Sequence, residues 1–318
     1  MDYDIHSKRE LVLVTGGSGL VGKAIQEIYK NYDYDFFFLS SRDLDLRKEK
    51  ETIEFFKNKN PDYVIHLAGN VGGVFKNIKY KVEMFEDNMK ININVLNACH
   101  QIKVKKLVSC LSTCIFPDKT EYPIDETMLH NGPPHWSNDS YAYSKRMLDI
   151  LSKSYRDQYR DNFVCVIPCN VYGKYDNFSL DDGHVIPSLI HRAYLSKRDG
   201  TNFLVKGSGK PLRQFIYSED LAKLLMSVLF DRDDERDNLI LSSSKEYSIR
   251  EVSEMIAVAF GIQDRIVFCE EYEDGQFRKT ASNDRFYKKF PDFVFRDMEQ
   301  CIFEISSWFT KNYEQVRK

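Results

Sequence analysis

Leu11-Val12-Leu13-Val14-Thr15 runs directly into Gly16-Gly17-Ser18-Gly19-Leu20-Val21-Gly22 and then into an amphipathic stretch, Leu20 to Asn31. The apolar, β-rich run predicts a buried strand, and the spaced glycines predict the turn that carries it into a helix. Gly16 permits the tight turn, Gly19 lets a pyrophosphate approach the backbone, and Gly22 lets helix and strand pack closely. The helix N-terminus adds amide donors and partial positive charge for phosphates. A lone glycine-rich motif is weak, but one set between a strand and a helix near the N-terminus reads as a dinucleotide-binding loop.

Working outward, Phe36–Leu39, Tyr63–Leu67, Leu107–Cys110 and Phe163–Ile167 read as further strands, with helical patterns near Glu49–Asn58, Asp87–Lys103 and Tyr141–Tyr159 between them. Strands apolar on both faces and separated by helices predict an α/β fold with a doubly wound parallel sheet of the Rossmann type. The alternation loosens after Pro168: a turn-rich stretch, a helix from about Val185 to Lys197 and a strand near Phe203–Lys206 follow. A smaller C-terminal α/β domain is expected here. Residues 1–168 and 214–241 are assigned to the dinucleotide domain, and 169–213 and 242–318 to a substrate domain. Ser218-Glu219-Asp220 reads as a helix start, and Ser248-Ile249-Arg250-Glu251 has capping-box spacing.

Composition excludes several classes. The net charge of −3 comes from 45 basic and 48 acidic residues spread along the 318-residue chain, so no basic face or tail argues for a nucleic-acid or membrane partner. No apolar run approaches the ~20 residues that cross a bilayer, and the first residues lack a signal-peptide pattern, so a soluble, cytoplasmic protein is expected. The seven scattered cysteines, with no Cys-x-x-Cys, fit reduced thiols better than disulfides or a metal site.

Cofactor choice should be written at the end of the second strand. An acidic residue there would bind the ribose hydroxyls of NAD, but Ser41 and Arg42 stand in its place, and a guanidinium suits a 2′-phosphate. NADP(H) is therefore expected, with Asp45 and Leu46 beside the adenine and Ala68 at the cofactor's middle. Tyr141 and Lys145 are four apart, so a helix puts both on one face. The ammonium is expected to lower the pKa of the Tyr141 phenol from about 10 and let it exchange a proton near neutral pH. Ser112, at the end of the preceding strand, can donate a second hydrogen bond to a substrate oxygen. Tyr143 has Met147 rather than a lysine four residues on, and is read as structural. Cys114, two residues after Ser112, adds a thiol to a carbonyl-reducing pocket, which suggests proton transfer at the neighbouring carbons as well.

These residues together resemble the extended short-chain dehydrogenase/reductase family that works on nucleotide sugars, over almost the whole chain. More narrowly, Ser112-Thr113-Cys114-Ile115-Phe116-Pro117, His130-Asn131-Gly132-Pro133-Pro134, Asp176-Asn177-Phe178, Gly183-His184-Val185-Ile186-Pro187 and the stretch from Asp274 to Ser282 are similar to its bifunctional GDP-sugar members. The resemblance implies a homodimeric 3,5-epimerase and 4-reductase acting on GDP-4-keto-6-deoxy-D-mannose with NADPH. It implies Cys114 as the base and His184 as the acid of the inversions, with Ser112 and Tyr141 holding the enolate oxygen. It implies cofactor contacts from Tyr141, Lys145, Val171 and His184, and substrate contacts from Ser112, Asn170, Arg192, Arg213 and Lys279. The chain departs from the pattern at Lys206, where a tryptophan commonly stands, and at Lys174-Tyr175, which replace Pro-His. Both departures are expected near the substrate pocket, Lys206 within it, and both bear on the base recognised. An epimerase/reductase for a UDP- or dTDP-linked 4-keto-6-deoxyglucose, or a non-catalytic NADP(H)-binding regulator, remain alternatives at this point.

Overall fold

The computed structural model describes residues 9–231, 237–272 and 276–318. Asp274 and Gly275 of the last motif quoted above lie outside them, as do the first eight residues.

Six parallel strands form the main sheet: β1 (Leu11–Thr15), β2 (Asp35–Leu39), β3 (Tyr63–His66), β4 (Lys106–Cys110), β5 (Phe163–Pro168) and β9 (Leu239–Leu241), in the order β2-β1-β3-β4-β5-β9. The chain leaves β1 towards β2 and returns to β3 on the other side of β1. A crevice therefore opens at the C-terminal ends of β1 and β3, where open α/β sheets hold ligands. Every residue of β5 is buried, as both-face coverage requires.

One face is covered by α1 (Leu20–Ile28) and α7 (Ser218–Phe230), through Ile25, Leu221 and Leu225 packed on Val12, Val14 and Val166. The other is covered by α2 (Glu49–Lys59), α4 (Lys81–Ile102) and α5 (Asp139–Tyr159), through Phe56, Val95, Leu96 and Leu148 on Leu13, Leu107 and Phe163. Each such side chain contributes about 1.5–3 kcal/mol by leaving water. The helix α4 starts six residues before the expected Asp87. Its first turns leave Val82 and Phe85 exposed, so no inward apolar stripe marks them in the sequence. A short helix ahead of it, α3 (Val74–Lys79), was not foreseen for the same reason: Val74, Phe75 and Ile78 are exposed.

A second lobe has its own core. Strands β6 (Asn170–Tyr172), β8 (Leu212–Tyr217) and β10 (Glu246–Ser248) form one small sheet, and β7 (Phe203–Lys206) pairs in parallel with β11 (Ile266–Cys269). Helices α6 (Val185–Asp199), α8 (Ile249–Phe260) and α10 (Met298–Lys311) enclose Phe178, Phe203, Ile256 and Phe309 with them. The short α9 (Asp284–Lys289) returns to the first lobe, where Phe286 is fully buried. The capping box at Ser248 and Glu251 is formed.

One expected boundary shifts. Residue 214 falls inside β8, whose partners β6 and β10 lie outside the main sheet, so the chain returns to the first lobe at α7 and β9. The reason is local: Gln214 is buried and held by Ser243 and Ala281, not by the main sheet. Among the described residues no helix is long and apolar enough to cross a membrane.

Candidate active site

The glycine loop is shaped by close backbone approaches. Gly16 has φ +70°, and a Cβ there would stand 2.8 Å from the Ala68 nitrogen. A Cβ on Gly22 would stand 2.5 Å from the Gly16 oxygen and 2.6 Å from the Gly17 Cα. Around Gly19 there is room: a Cβ would meet only the Gly16 oxygen, at 3.3 Å. Gly19 caps α1 with no side-chain bond and no acid in the first turn, so Leu20, Val21 and Gly22 begin a helix whose positive end is uncompensated. Ser18 is exposed beside them.

Past β2, Arg42 is exposed and no described carboxylate pairs with it. The neighbouring acid, Asp43, is turned back to accept from the Ser40 amide and hydroxyl at 2.9 and 2.6 Å, which lowers its pKa and occupies it. Asp45 pairs with Arg47 at 2.9 Å. Leu46 is buried among Leu13, Leu39 and Phe56, so its side chain faces the core and not an adenine. The residue's carbonyl, accepting from Asn94 at 2.9 Å, anchors the loop to α4 and leaves only its backbone beside the loop surface. Beneath Ala68, the Thr15 hydroxyl bonds the Ala68 amide at 3.2 Å and the buried His66 at 2.8 Å. Burial, helped by the Lys145 charge, pushes the His66 pKa down to about 3 and keeps the ring neutral.

The reaction centre lies at the end of β4. Lys145 is buried; its Nζ donates to the Cys110 carbonyl at 2.9 Å and stands 5.9 Å from the Tyr141 ring centroid. Burial lowers its pKa, opposed by Cys110 and Cys114. The expected depression of the Tyr141 phenol is not found. Burial raises it well above the usual value, and Cys114 and Cys110 add to the rise, because any second negative charge there is opposed. With its ammonium spent on the Cys110 carbonyl, Lys145 leaves Tyr141 a neutral phenol, the form that donates a proton.

Ser112 caps a short 3-10 turn, Thr113–Ile115, and its Oγ accepts from the Cys114 amide at 3.4 Å. The Cys114 thiol is raised by burial and drawn back by the Ser112 hydrogen bond and by the Lys279 and Lys145 charges. Tyr141, Lys145, Cys114, Ser112 and Lys279 thus form one electrostatic cluster. Lys279 and Arg213 are both lowered by burial; the Asp118 charge bears on Lys279, but neither cation is in an ion pair among the described residues. Arg213 donates to the carbonyls of Leu212 and Gln276 at 2.7 and 2.6 Å. Arg192 donates to the Leu180 carbonyl at 2.8 Å. Asn170 donates to the Gln214 carbonyl at 2.8 Å, and Val171, half-buried beside it, pairs with Ile216. His184 is the N-cap of α6.

Lys206 is exposed, with its ammonium over the rings of Phe75 at 5.6 Å and Tyr272 at 5.2 Å, one from each lobe. Lys174 is placed differently from expectation. Its Nζ lies 2.7 Å from Glu304 and 3.9 Å from Glu27, and the Tyr175 hydroxyl donates to Glu27 at 2.9 Å. These two residues bridge the seam between α1 and α10. Tyr143 points away from the cluster and is exposed.

Three further residues acquire a place at the site only in the folded chain. Cys110, at the C-terminal end of β4, belongs to the cluster, and its position at a strand end was a usable signal. Arg146 is buried and donates to the Ile115 and Gly132 carbonyls at 2.6 and 2.7 Å, tying the Cys114 turn to the His130–Pro134 loop. Asp176 faces His184, and nothing in the local sequence marked that pairing.

Fold and cluster together define a dinucleotide-dependent carbonyl reductase with an added thiol and imidazole. Comparison with known proteins narrows this class. Residues 12–241 match the NAD dependent epimerase/dehydratase family. The chain is 49% identical over 317 residues to GDP-L-fucose synthase of Dictyostelium discoideum, covering 98% of this chain and 99% of that one. It is 44% identical over 319 residues to a probable GDP-L-fucose synthase of Drosophila melanogaster, with 96% and 99% covered. The crystal structure of a GDP-L-fucose synthetase from Naegleria fowleri bound to NADP superposes with a TM-score of 0.92 at 44% identity, covering 98% and 96% of the two chains. The chain belongs to the NAD dependent epimerase/dehydratase family, in its GDP-L-fucose synthase branch.

Proposed function

We propose that the chain converts GDP-4-keto-6-deoxy-D-mannose to GDP-L-fucose, by 3,5-epimerisation followed by NADPH-dependent reduction at C4. The observation that carries this reading is the Cys114 thiol seated in the same electrostatic cluster as Tyr141 and Lys145. A simple reductase or a nucleotide-binding regulator has no use for it. The names of the Dictyostelium and Naegleria relatives supply the guanine nucleotide.

The residues fit NADP(H). The uncapped start of α1 with open space at Gly19 suits a pyrophosphate, and the unpaired Arg42 suits a 2′-phosphate. When bound, NADPH supplies the reducing equivalent delivered to C4. The remaining work belongs to side chains. C3 and C5 both flank the C4 carbonyl, so each C–H is acidified by it. Cys114 as thiolate takes the proton from one face and His184 gives one to the other, while Ser112 and Tyr141 hold the enolate oxygen. Each inversion leaves a thiol and a neutral imidazole, which exchange protons with water before the next. In the reduction, the neutral Tyr141 phenol protonates the C4 oxygen. Arg192, Arg213 and Lys279, none of them in an ion pair among the described residues, are suited to the diphosphate, and Asn170 and Lys206 to the sugar and base.

The first lobe, which among the described residues takes in 9–168 with 218–231 and 237–241, binds the dinucleotide, and the second the nucleotide sugar. The protein works as a homodimer: Tyr143, Met147 and Ile150 on α5 and Val82, Phe85 and Ile93 on α4 form an exposed apolar surface across two adjacent helices, as a two-fold partner would require. Seven free thiols fit a reducing, cytosolic setting.

The test is Cys114→Ser, with solvent deuterium exchange at C3 and C5 followed separately from NADPH oxidation. Exchange at both carbons should fall by about 10²–10⁴-fold while NADPH still binds. Unchanged exchange at both carbons refutes Cys114 as the base. Wild-type protein that oxidises NADPH only with a UDP- or dTDP-linked 4-keto sugar refutes the guanine assignment.

A further inference from the structure

We propose that Asp176 is a positioning residue for His184, its buried carboxylate facing the imidazole Nδ1 and holding the ring as a cation whose Nε2–H is the one presented to the sugar. The inference rests on the reading of His184 as the acid given above.

The geometry is asymmetric. Asp176 is 4% exposed, whereas the His184 side chain is 54% exposed, so the carboxylate sits behind a ring that remains open to solvent and ligand. The Nδ1 to Oδ1 distance is 3.6 Å, an ion-pair separation. Oδ1 also accepts from the Asn177 amide at 2.7 Å, which fixes the carboxylate, but Oδ2 is buried and has no hydrogen-bond partner among the described residues. A buried carboxylate so placed is costly unless a cation shares its charge.

His184 needs such a partner. It caps α6, a helix of 15 residues, with extended backbone (φ −67°, ψ 170°) and no side-chain capping bond, so its ring is free for chemistry. The same position puts it at the positive end of the helix, where a cation is disfavoured. The charged groups bearing on the ring are Asp176 and, from the C-terminal tail, Arg317. Asp181 and Asp182 of the same loop are exposed. The net direction of the His184 pKa is up: the Asp176 carboxylate is the largest cause, opposed by desolvation and by Arg317.

The pairing gives His184 a definite pH dependence. An acid must be protonated to act, so activity falls as pH rises through its pKa, and a raised pKa moves that alkaline limb upward. Asp176→Asn keeps the shape and the Asn177 contact but removes the charge. The alkaline limb of kcat/KM for GDP-4-keto-6-deoxy-D-mannose should then move down by about one pH unit. This means roughly a tenfold loss at pH 8 with little loss at pH 6. An equal loss at all pH values would mark a merely structural role and overturn the proposal.

A second measurement needs no turnover. In protein with isotopically labelled histidines, assigned by His184→Gln, the wild-type His184 resonance should titrate above the ordinary value of about 6.5, and that of Asp176→Asn at or below it. A wild-type titration at or below 6.5 overturns the proposal even where the variant fails to fold. Failure of the functional reading shows separately, as no turnover in the wild type.

Discussion

At the dinucleotide end of the cleft the shape is made by main chain: Gly16 against Ala68, Gly22 against Gly16 and Gly17, and an uncapped helix start. At the proposed sugar end it is made by side chains, of which Asn170, Arg192 and Arg213 are held by bonds to the Gln214, Leu180 and Gln276 carbonyls. At Gly16 and Gly22 the first end has no spare volume, and a single methyl group there collides with backbone that cannot rotate away. The second is a set of long, flexible groups, and loss of one leaves the others in place. Failure should accordingly be steep at one end and graded at the other.

The steepest expected effect is Gly22→Ala. Its Cβ falls within 2.6 Å of three backbone atoms of the loop, so the turn must open and NADPH affinity should drop by more than about 100-fold, read by fluorescence titration with circular dichroism to confirm folding. Binding within threefold of wild type would break the comparison outright. Next comes Arg42→Ser, which removes a charge-assisted contact worth roughly 1.5–3 kcal/mol. NADPH affinity should fall about 10–100-fold with NADH affinity unchanged, and equal losses for both would remove the 2′-phosphate from the account.

The third concerns what supports the loop from below. His66 is held neutral with a pKa of about 3 in the fold, against about 6.5 when unfolded. Between those values the unfolded chain binds more protons, so stability is full above pH 6.5 and declines as pH falls towards 3, by up to about 1.4 kcal/mol per unit. His66→Gln should flatten the melting temperature against pH in that window, at some cost at neutral pH; an unaltered slope would place the acid sensitivity elsewhere. The smallest effect is at the sugar end. Lys206→Ala gives up two contacts with aromatic faces at an exposed site, each worth about 0.5–1 kcal/mol, so KM for the GDP sugar should rise less than tenfold and kcat should hold. A large fall in kcat would mean that Lys206 reaches the reacting carbons.

The same contrast explains what could be read from the chain alone. The loop from Gly16 to Gly22 is contiguous, so spacing carries its meaning, and the buried strands on either side declare themselves by composition. Tyr141 and Lys145 were legible because helical periodicity places them together. The pairing of Asp176 with His184, the rerouting of Lys174 to Glu304, and the seating of Lys206 between Phe75 and Tyr272 depend on contacts between segments far apart in sequence or across a loop, which local pattern does not encode. The phenol of Tyr141 departs from the four-residue pattern for a related reason. Its environment is set by burial and by two thiols on another segment, and a four-residue spacing says nothing about either.

The 21-residue helix α5 presents Tyr141 and Lys145 to the cleft, while Tyr143, Met147 and Ile150 look outward on another side. It is therefore a beam loaded on two sides. A partner seated on the outer side would share one rigid helix with the phenol and ammonium.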